Sequence, residues 1–262
     1  MHTSSRLVAL VTFLFVTAAP LAGGPAPGDP DLAFGDRGAS RHDLPGRLES
    51  VDGIVEQPDG KLLVSGGIDY LAPEGSFLVI RYLPDGALDP GFGSVGWVRT
   101  DFPGGSDFAY KVLVQPDGKI VAAGVVAPGD MALTRYQTDG ALDSTFGVGG
   151  RAVHDFDGEF NNVRAMALQP DDKIVAAGTL DLARFLPNGD LDSTFGSGGQ
   201  LFLGFEALAL VVQPDGAIVV AGGADGYVVL ARYDETGALD PGFGLGGLVL
   251  TTVTGTDRAR TL

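Results

Sequence analysis

The 262-residue chain contains no cysteine. That removes disulfides, thiolate nucleophiles and zinc-thiolate centres, and with them lipid attachment through a cysteine. Basic residues are scarce: 17 Lys and Arg face 33 Asp and Glu, a formal net charge of −16. So acidic a surface repels phosphate backbones, and nucleic acid is not an expected partner. Histidine is rarer still: outside the first segment only His42 and His154 remain, and no Ser–His–acid arrangement can be drawn from them. No stretch after residue 30 keeps a 3.6-residue apolar period, so no helix is expected there. What the chain has in plenty is Gly (41) and Pro (16). A 45% apolar share argues against disorder, and there is no strict Gly-X-Y period of the collagen kind.

Residues 1–22 differ from the rest. Arg6 gives a positive start, Leu7–Ala19 is a 13-residue apolar run, Pro20 ends it, and Ala22 or Ala18 offers a small residue for cleavage. This is the pattern of a secretory signal peptide, and the run is shorter than the roughly 20 residues that span a bilayer. The expected mature region is 23–262. It has no further long apolar run, so no membrane contact is expected after cleavage, and the expected location is extracellular, cell-surface or periplasmic.

The remainder is one unit written several times. Leu-Asp-x-x-Phe-Gly stands at Leu88–Gly93, Leu142–Gly147, Leu191–Gly196 and Leu239–Gly244, and Asp31–Gly35 (DLAFG) is a close variant. The phenylalanines Phe34, Phe92, Phe146, Phe195 and Phe243 are spaced by 58, 54, 49 and 48 residues. Gln-Pro-Asp-Gly stands at Gln57–Gly60, Gln115–Gly118 and Gln213–Gly216, with Gln-Pro-Asp-Asp at Gln169–Asp172. Arg-aromatic pairs follow at Arg81-Tyr82, Arg135-Tyr136, Arg184-Phe185 and Arg232-Tyr233. The three markers keep one order, giving units at about 36–92, 93–146, 147–195 and 196–243 and a partial unit at 244–262.

Each unit reads as four strands. In the second they are Gly96–Phe102, Ala109–Gln115, Lys119–Val125 and Met131–Gln137. Pro116-Asp117-Gly118 makes the turn between the middle pair, because Pro presets φ and Gly takes positive φ without a steric cost. Near-continuous apolar strands, such as Ala207–Val212 with Ile218–Ala221, suit sheets buried on both faces. The expected fold is all-β: a propeller-like array of about four four-stranded antiparallel blades plus a partial fifth, as an incomplete ring. Open blade edges would permit self-association.

The string Gln115–Gly124 (QPDGKIVAAG), followed by the pattern in Arg135–Gly147, resembles the delta-60 repeat family. The resemblance covers roughly residues 31–254. It implies a secreted bacterial β-propeller and carries no general enzymatic activity. Asp172 in place of the turn glycine, Ala217 in place of Lys, and Glu235-Thr236-Gly237 in place of Asp-Gly depart from the pattern.

The repeated charges have both structural and functional readings. Arg81, Arg135, Arg184 and Arg232 lie among apolar residues and need partners. Asp89, Asp143, Asp192 and Asp240 of the Leu-Asp motif are the natural ones, the alternative being a ligand. The turn aspartates Asp59, Asp117, Asp171 and Asp215, beside Gly60, Gly118 and Gly216, suit side-chain bonds to their own backbone, the alternative being metal ligation. The Phe-Gly phenylalanines read as anchors between blades, the alternative being a sugar platform. Gly91-x-Gly93-x-x-Gly96 matches a dinucleotide fingerprint only in letters, since no helix follows.

Asp155, Asp157 and Glu159 are the candidate calcium ligands, beside a lone His154 read as exposed; no other cofactor is expected. Loops of varying length join the third strand to the fourth, and the first to the second. Such loops on a rigid scaffold are where binding resides, and Tyr70 and Glu74 in the longest are the candidate contact residues. The expected function is a secreted non-enzymatic scaffold or interaction module that binds protein or polysaccharide through these loops. The alternative is an extracellular propeller-class hydrolase or lyase assisted by calcium.

Overall fold

The computed structural model describes residues 29–42, 44, 49–69, 75–156, 162–224 and 226–252. The segment 1–22 read as a signal peptide, Tyr70, Glu74, Asp157, Glu159 and residues 253–262 of the expected fifth unit lie outside the described residues.

Among the described residues sixteen strands form four sheets of four. The first holds β1 (Glu49–Glu56), β2 (Leu62–Ile68), β3 (Ser76–Tyr82) and β4 (Trp97–Thr100). The second holds β5 (Phe108–Val114), β6 (Ile120–Val126), β7 (Asp130–Tyr136) and β8 (Arg151–His154). The third holds β9 (Ala165–Leu168), β10 (Ile174–Ala177), β11 (Asp181–Phe185) and β12 (Gln200–Phe202). The fourth holds β13 (Glu206–Val212), β14 (Ile218–Ala224), β15 (Tyr227–Tyr233) and β16 (Leu248–Thr252). Each strand pairs antiparallel with its neighbour in sequence, and no helix occurs among the described residues.

The frame of the repeat differs from the sequence expectation by one strand. Trp97–Thr100, read as opening the second unit, pairs with β3 and closes the first sheet. The Leu-Asp-x-x-Phe-Gly segment is therefore a loop inside each blade, and the link between blades is the stretch after the outer strand. The same shift moves Leu248–Thr252 from the expected fifth unit to the outer edge of the fourth sheet. Sequence similarity could not set this frame, because a periodic string has no intrinsic starting point.

Local chemistry fixes the hairpins. In the turn between the first two strands, Gly60, Gly118 and Gly216 take φ of 81°, 81° and 86°, and Asp172 takes 65° in the same role. A bulge falls in β1, β5 and β13. Opposite it stand Gly66, Gly124 and Gly222, where a Cβ would come within 1.8, 1.8 and 1.9 Å of the carbonyl oxygens of Ser50, Phe108 and Glu206. Only glycine admits the neighbouring strand so closely.

The core lies between blades. Phe77, Val79 and Phe92 of the first blade pack with Ile120, Ala122 and Tyr136 of the second, and the two later junctions repeat this. In the interior, β6 and β7 are buried on both faces. In the fourth blade burial alternates instead, with every second residue of β14 and β15 partly exposed. Ala207–Val212 and Ile218–Ala221, expected to be buried on both faces, thus have one sheltered face, because no described blade stacks on the other. First strands stand side by side, β1 on β5, β5 on β9 and β9 on β13. Among the described residues the array is not closed.

Candidate functional site

Antiparallel order sorts the connections onto two rims. The turns after β1, β5, β9 and β13 and the Phe-Gly loops before the outer strands share one rim. The loops after β2, β6, β10 and β14 and the links between blades share the other.

The first rim carries a repeated ion-pair latch. Arg81 Nε lies 2.8 Å from Asp89 Oδ2 and Arg135 Nε lies 2.9 Å from Asp143 Oδ2. Arg184 Nη2 lies 2.8 Å from Asp192 Oδ2. Lys61, Lys119 and Lys173 add contacts of 3.4, 3.2 and 3.4 Å to the same carboxylates. The guanidinium carbons stand 4.5, 4.8 and 4.6 Å from the ring centroids of Phe92, Phe146 and Phe195, a favourable cation–π arrangement. Arg81, Arg135 and Arg184 also donate through Nη1 to the carbonyls of Thr138, Pro187 and Glu235, each in the next blade.

Burial alone pushes the Asp143 carboxyl up. Hydrogen bonds from Thr145 and Lys119 and the charge of Arg135 outweigh it, so the group sits well below the usual carboxylate range. Asp192 is held to about 2 in the same way, burial being overcome by Thr194 and Arg184. The turn aspartates Asp59, Asp117, Asp171 and Asp215 accept from backbone N–H groups two residues on, at 3.3, 3.0, 3.4 and 3.1 Å. An open cleft of about 910 Å³ runs beside this latch, lined by Gln57, Lys61, Arg81, Asp89, Gln115 and Asp139 among others.

The five copies are not equal. Phe92, Phe146 and Phe195 are fully buried, whereas Phe34 and Phe243, at the two ends, are half-buried. Arg232 turns away from the common geometry: Nη2 meets Asp215 at 2.6 Å and Nη1 meets Asp240 at 3.2 Å. Its Nε is buried and has no hydrogen-bond partner among the described residues. Among the described residues no main-chain carbonyl receives its guanidinium as in the other three blades.

The opposite rim breaks the repeat. Between the first two blades Arg99 reaches Asp101 at 2.9 Å and Asp69 at 3.7 Å, and Ser76 donates to Asp101. Beneath them Asp107, 1% exposed, accepts from the Phe102 N–H at 2.9 Å. Burial raises its carboxyl to about 6 despite backbone hydrogen bonds. Sequence reasoning missed Asp107, and nothing local marks it, since its partners come from both flanking blades: its N–H donates to the Gly75 carbonyl, and its carboxyl accepts from the backbone of Ala127.

Also missed were Asp52 and Lys111, at the bulges of β1 and β5, and Arg164, just before β9. Burial raises Asp52 and lowers Lys111, while the three charges act on one another. A lysine inside the apolar run FAYKVLV was the available signal for this trio.

Asp155 is exposed, and among the described residues no three His, Asp or Glu side chains gather to share a metal ion. His154, read as exposed, is half-buried: its Nε2–H donates to the Gly189 carbonyl at 3.2 Å, and its ring lies 5.1 Å from that of Phe185. Burial lowers its pKa.

Among solved structures, a protein from Lactobacillus plantarum is similar at 18% identity and a TM-score of 0.53, over 83% of this chain and 61% of its own. A virginiamycin B lyase from Staphylococcus aureus, crystallised with quinupristin, is 11% identical with a TM-score of 0.49, over 82% of this chain and 59% of its own. A Bacteroides caccae protein of unknown function is 12% identical with a TM-score of 0.46, over 71% and 57%. The chain thus spans less than two thirds of the length of these structures, and the likeness to the Lactobacillus plantarum protein concerns the fold alone. No curated protein matches the sequence. Residues 57–92, 115–146, 169–195 and 213–243 each match the family described as "Domain of unknown function (DUF5122) beta-propeller". Four family matches, falling one to a blade, together with four antiparallel four-stranded sheets, identify the chain as a β-propeller repeat protein.

Proposed function

We propose that the chain is a secreted, non-enzymatic propeller scaffold that binds protein or polysaccharide through the rim of variable loops. One observation carries this reading: the two rims are divided in labour. On one, the Arg–Asp–Lys set recurs in equivalent places and is engaged in joining blades, as a scaffold requires. On the other, loop length and charge differ from blade to blade, as a specific contact surface requires. We further read the four repeats as delta-60 repeats, on the run from Gln115 to Gly147, and residues 1–22 as the export signal.

The test is an array of glycans and peptides probed with the full chain, followed by the same array with the β2–β3 loop shortened to the length of the β10–β11 loop. The expected result is retention of one ligand class and its loss in the shortened variant. Chemical conversion of a bound ligand, or a calcium-dependent turnover, would replace this reading with the hydrolase or lyase alternative. Binding that survives the shortened loop would remove the loop rim from the account.

A further inference from the structure

The seam between successive blades is a plug and a socket. The plug is the Phe-Gly loop: Gly93, Gly147 and Gly196 donate their N–H groups to the carbonyls of Asp139, Asn188 and Thr236, at 2.7, 2.7 and 2.8 Å. The socket is the next blade's exit turn, where Gly140, Gly189 and Gly237 lie against Phe92, Phe146 and Phe195 so closely that a Cβ would come within 3.0, 2.9 and 3.1 Å of the ring. An arginine donates to the carbonyl one residue before that of Asp139, Asn188 or Thr236.

The first blade has the same socket, Pro84–Gly86, and it is already filled. Gly35 donates to the Asp85 carbonyl at 2.7 Å, and Phe34 lies where a Cβ on Gly86 would be 3.2 Å from its ring. Ser40 Oγ donates to the Gly86 carbonyl at 2.5 Å and His42 Nε2 contacts it at 3.4 Å. His42 stands eight residues after Phe34 as His154 stands eight after Phe146, and both bond the carbonyl of the socket glycine. Residues 34–42 therefore repeat the plug and the segment that follows it in a blade, and among the described residues no strands of a further blade precede them.

The fourth blade has the opposite condition. It carries a complete plug, Arg232, Phe243 and Gly244. Among the described residues, however, no carbonyl receives the Gly244 N–H, Phe243 is half-buried and Arg232 Nε is unpartnered.

We propose that the fourth blade docks head-to-tail on the first blade of a second copy of this chain, with Arg232, Phe243 and Gly244 entering the Pro84–Gly86 socket, and that residues 34–42 of that copy compete for the same socket from within. The chain carries both halves of a seam it already forms three times, so the new interface continues an existing one. The tethered segment has the advantage of high local concentration, which keeps copies apart until it is released. Closed or open assemblies both follow from such a heterologous contact.

The experiment is light scattering on the full chain at high salt, which screens the repulsion between acidic copies. Releasing the competitor with Phe34→Ala plus Ser40→Ala is expected to tighten self-association at least about tenfold. Adding Arg232→Ala and Phe243→Ala is expected to return the chain to its monomer mass. A folded released variant that stays monomeric would overturn the proposal, and so would association that ignores the changes in the fourth blade. If the released variant does not fold, hydrogen exchange on the wild type decides: at rising concentration the Gly244 amide should gain protection while Gly35 loses it. Unchanged exchange at both would overturn the proposal.

Discussion

Arg135 and Pro187 stand 52 residues apart, and the guanidinium of the first donates to the main-chain carbonyl of the second. The same arginine pairs with Asp143 eight residues away and lies over Phe146. One side chain thus ties its own blade together and fastens it to the next. A four-stranded sheet alone leaves both faces wet. Here apolar contacts between blades cover those faces, and the latch adds a directional bond across the seam.

Replacing Arg135 with Ala should therefore cost about 2–4 kcal/mol. It leaves the buried Asp143 with Lys119 as its remaining cation and the Pro187 carbonyl without its donor. Arg232→Ala, at the open end and partly solvated, should cost less than about 1 kcal/mol. Urea denaturation of the two variants measures the difference, and equal midpoints would contradict a latch that depends on the next blade.

Socket glycines should be less tolerant than turn glycines of similar backbone angle. Gly140 has φ of 88° and a Cβ there would meet Gly93 N at 2.9 Å; Gly216 has φ of 86° with nothing within 4 Å. Gly216→Ala should cost about 1–2 kcal/mol of backbone strain. Gly140→Ala should cost about 1–2 kcal/mol more, through a displaced Phe92. Calorimetric melting of both variants separates strain from contact.

Asp172 holds φ of 65° where the other turns have glycine. Asp172→Gly should raise stability by about 0.5–1 kcal/mol, the relief of left-handed strain exceeding the greater freedom of glycine in the unfolded chain. A lower denaturation midpoint in this variant would show that the aspartate makes a compensating contact.

Asp107 should give stability a distinctive pH dependence. Its carboxyl is raised from 3.8 to about 6 in the folded chain, so folding retains the proton. The contribution is complete below pH 3.8 and is lost as pH rises through about 6. Asp192 is lowered to about 2, so its contribution is present above pH 3.8 and lost only as pH falls toward about 2. His154, lowered by burial, acts against Asp107 near pH 6. The quantity to measure is therefore the difference in stability between wild type and Asp107→Asn at pH 4 and pH 8. The substitution should favour the variant more at pH 8. A difference independent of pH would mean that Asp107 ionises normally.

Much of the fold could be read from the letters. The Gln-Pro-Asp-Gly turns, the Arg-aromatic strands and the Leu-Asp-x-x-Phe-Gly loops each have short-range causes: a preset φ, a permitted positive φ, an aspartate bonding its own backbone. The strand frame was not legible, because pairing of Trp97–Thr100 with β3 is settled by which sheet can bury it. Asp107 was hidden for a similar reason, its burial arising from residues of two blades. Tyr70, Glu74, Asp157 and Glu159 lie outside the described residues, so the binding candidates rest on sequence.

The amino-acid order by itself determined the class, the strands, the turns and the repeat, since these follow from steric and hydrogen-bonding preferences acting over a few residues. Tertiary structure alone decided which strand belongs to which blade, that Phe34 fills the first socket, and that Arg232, among the described residues, lacks the acceptor its counterparts share. Those outcomes depend on what stacks against each sheet, and two identical motifs acquire different environments once one of them stands at the end of the array.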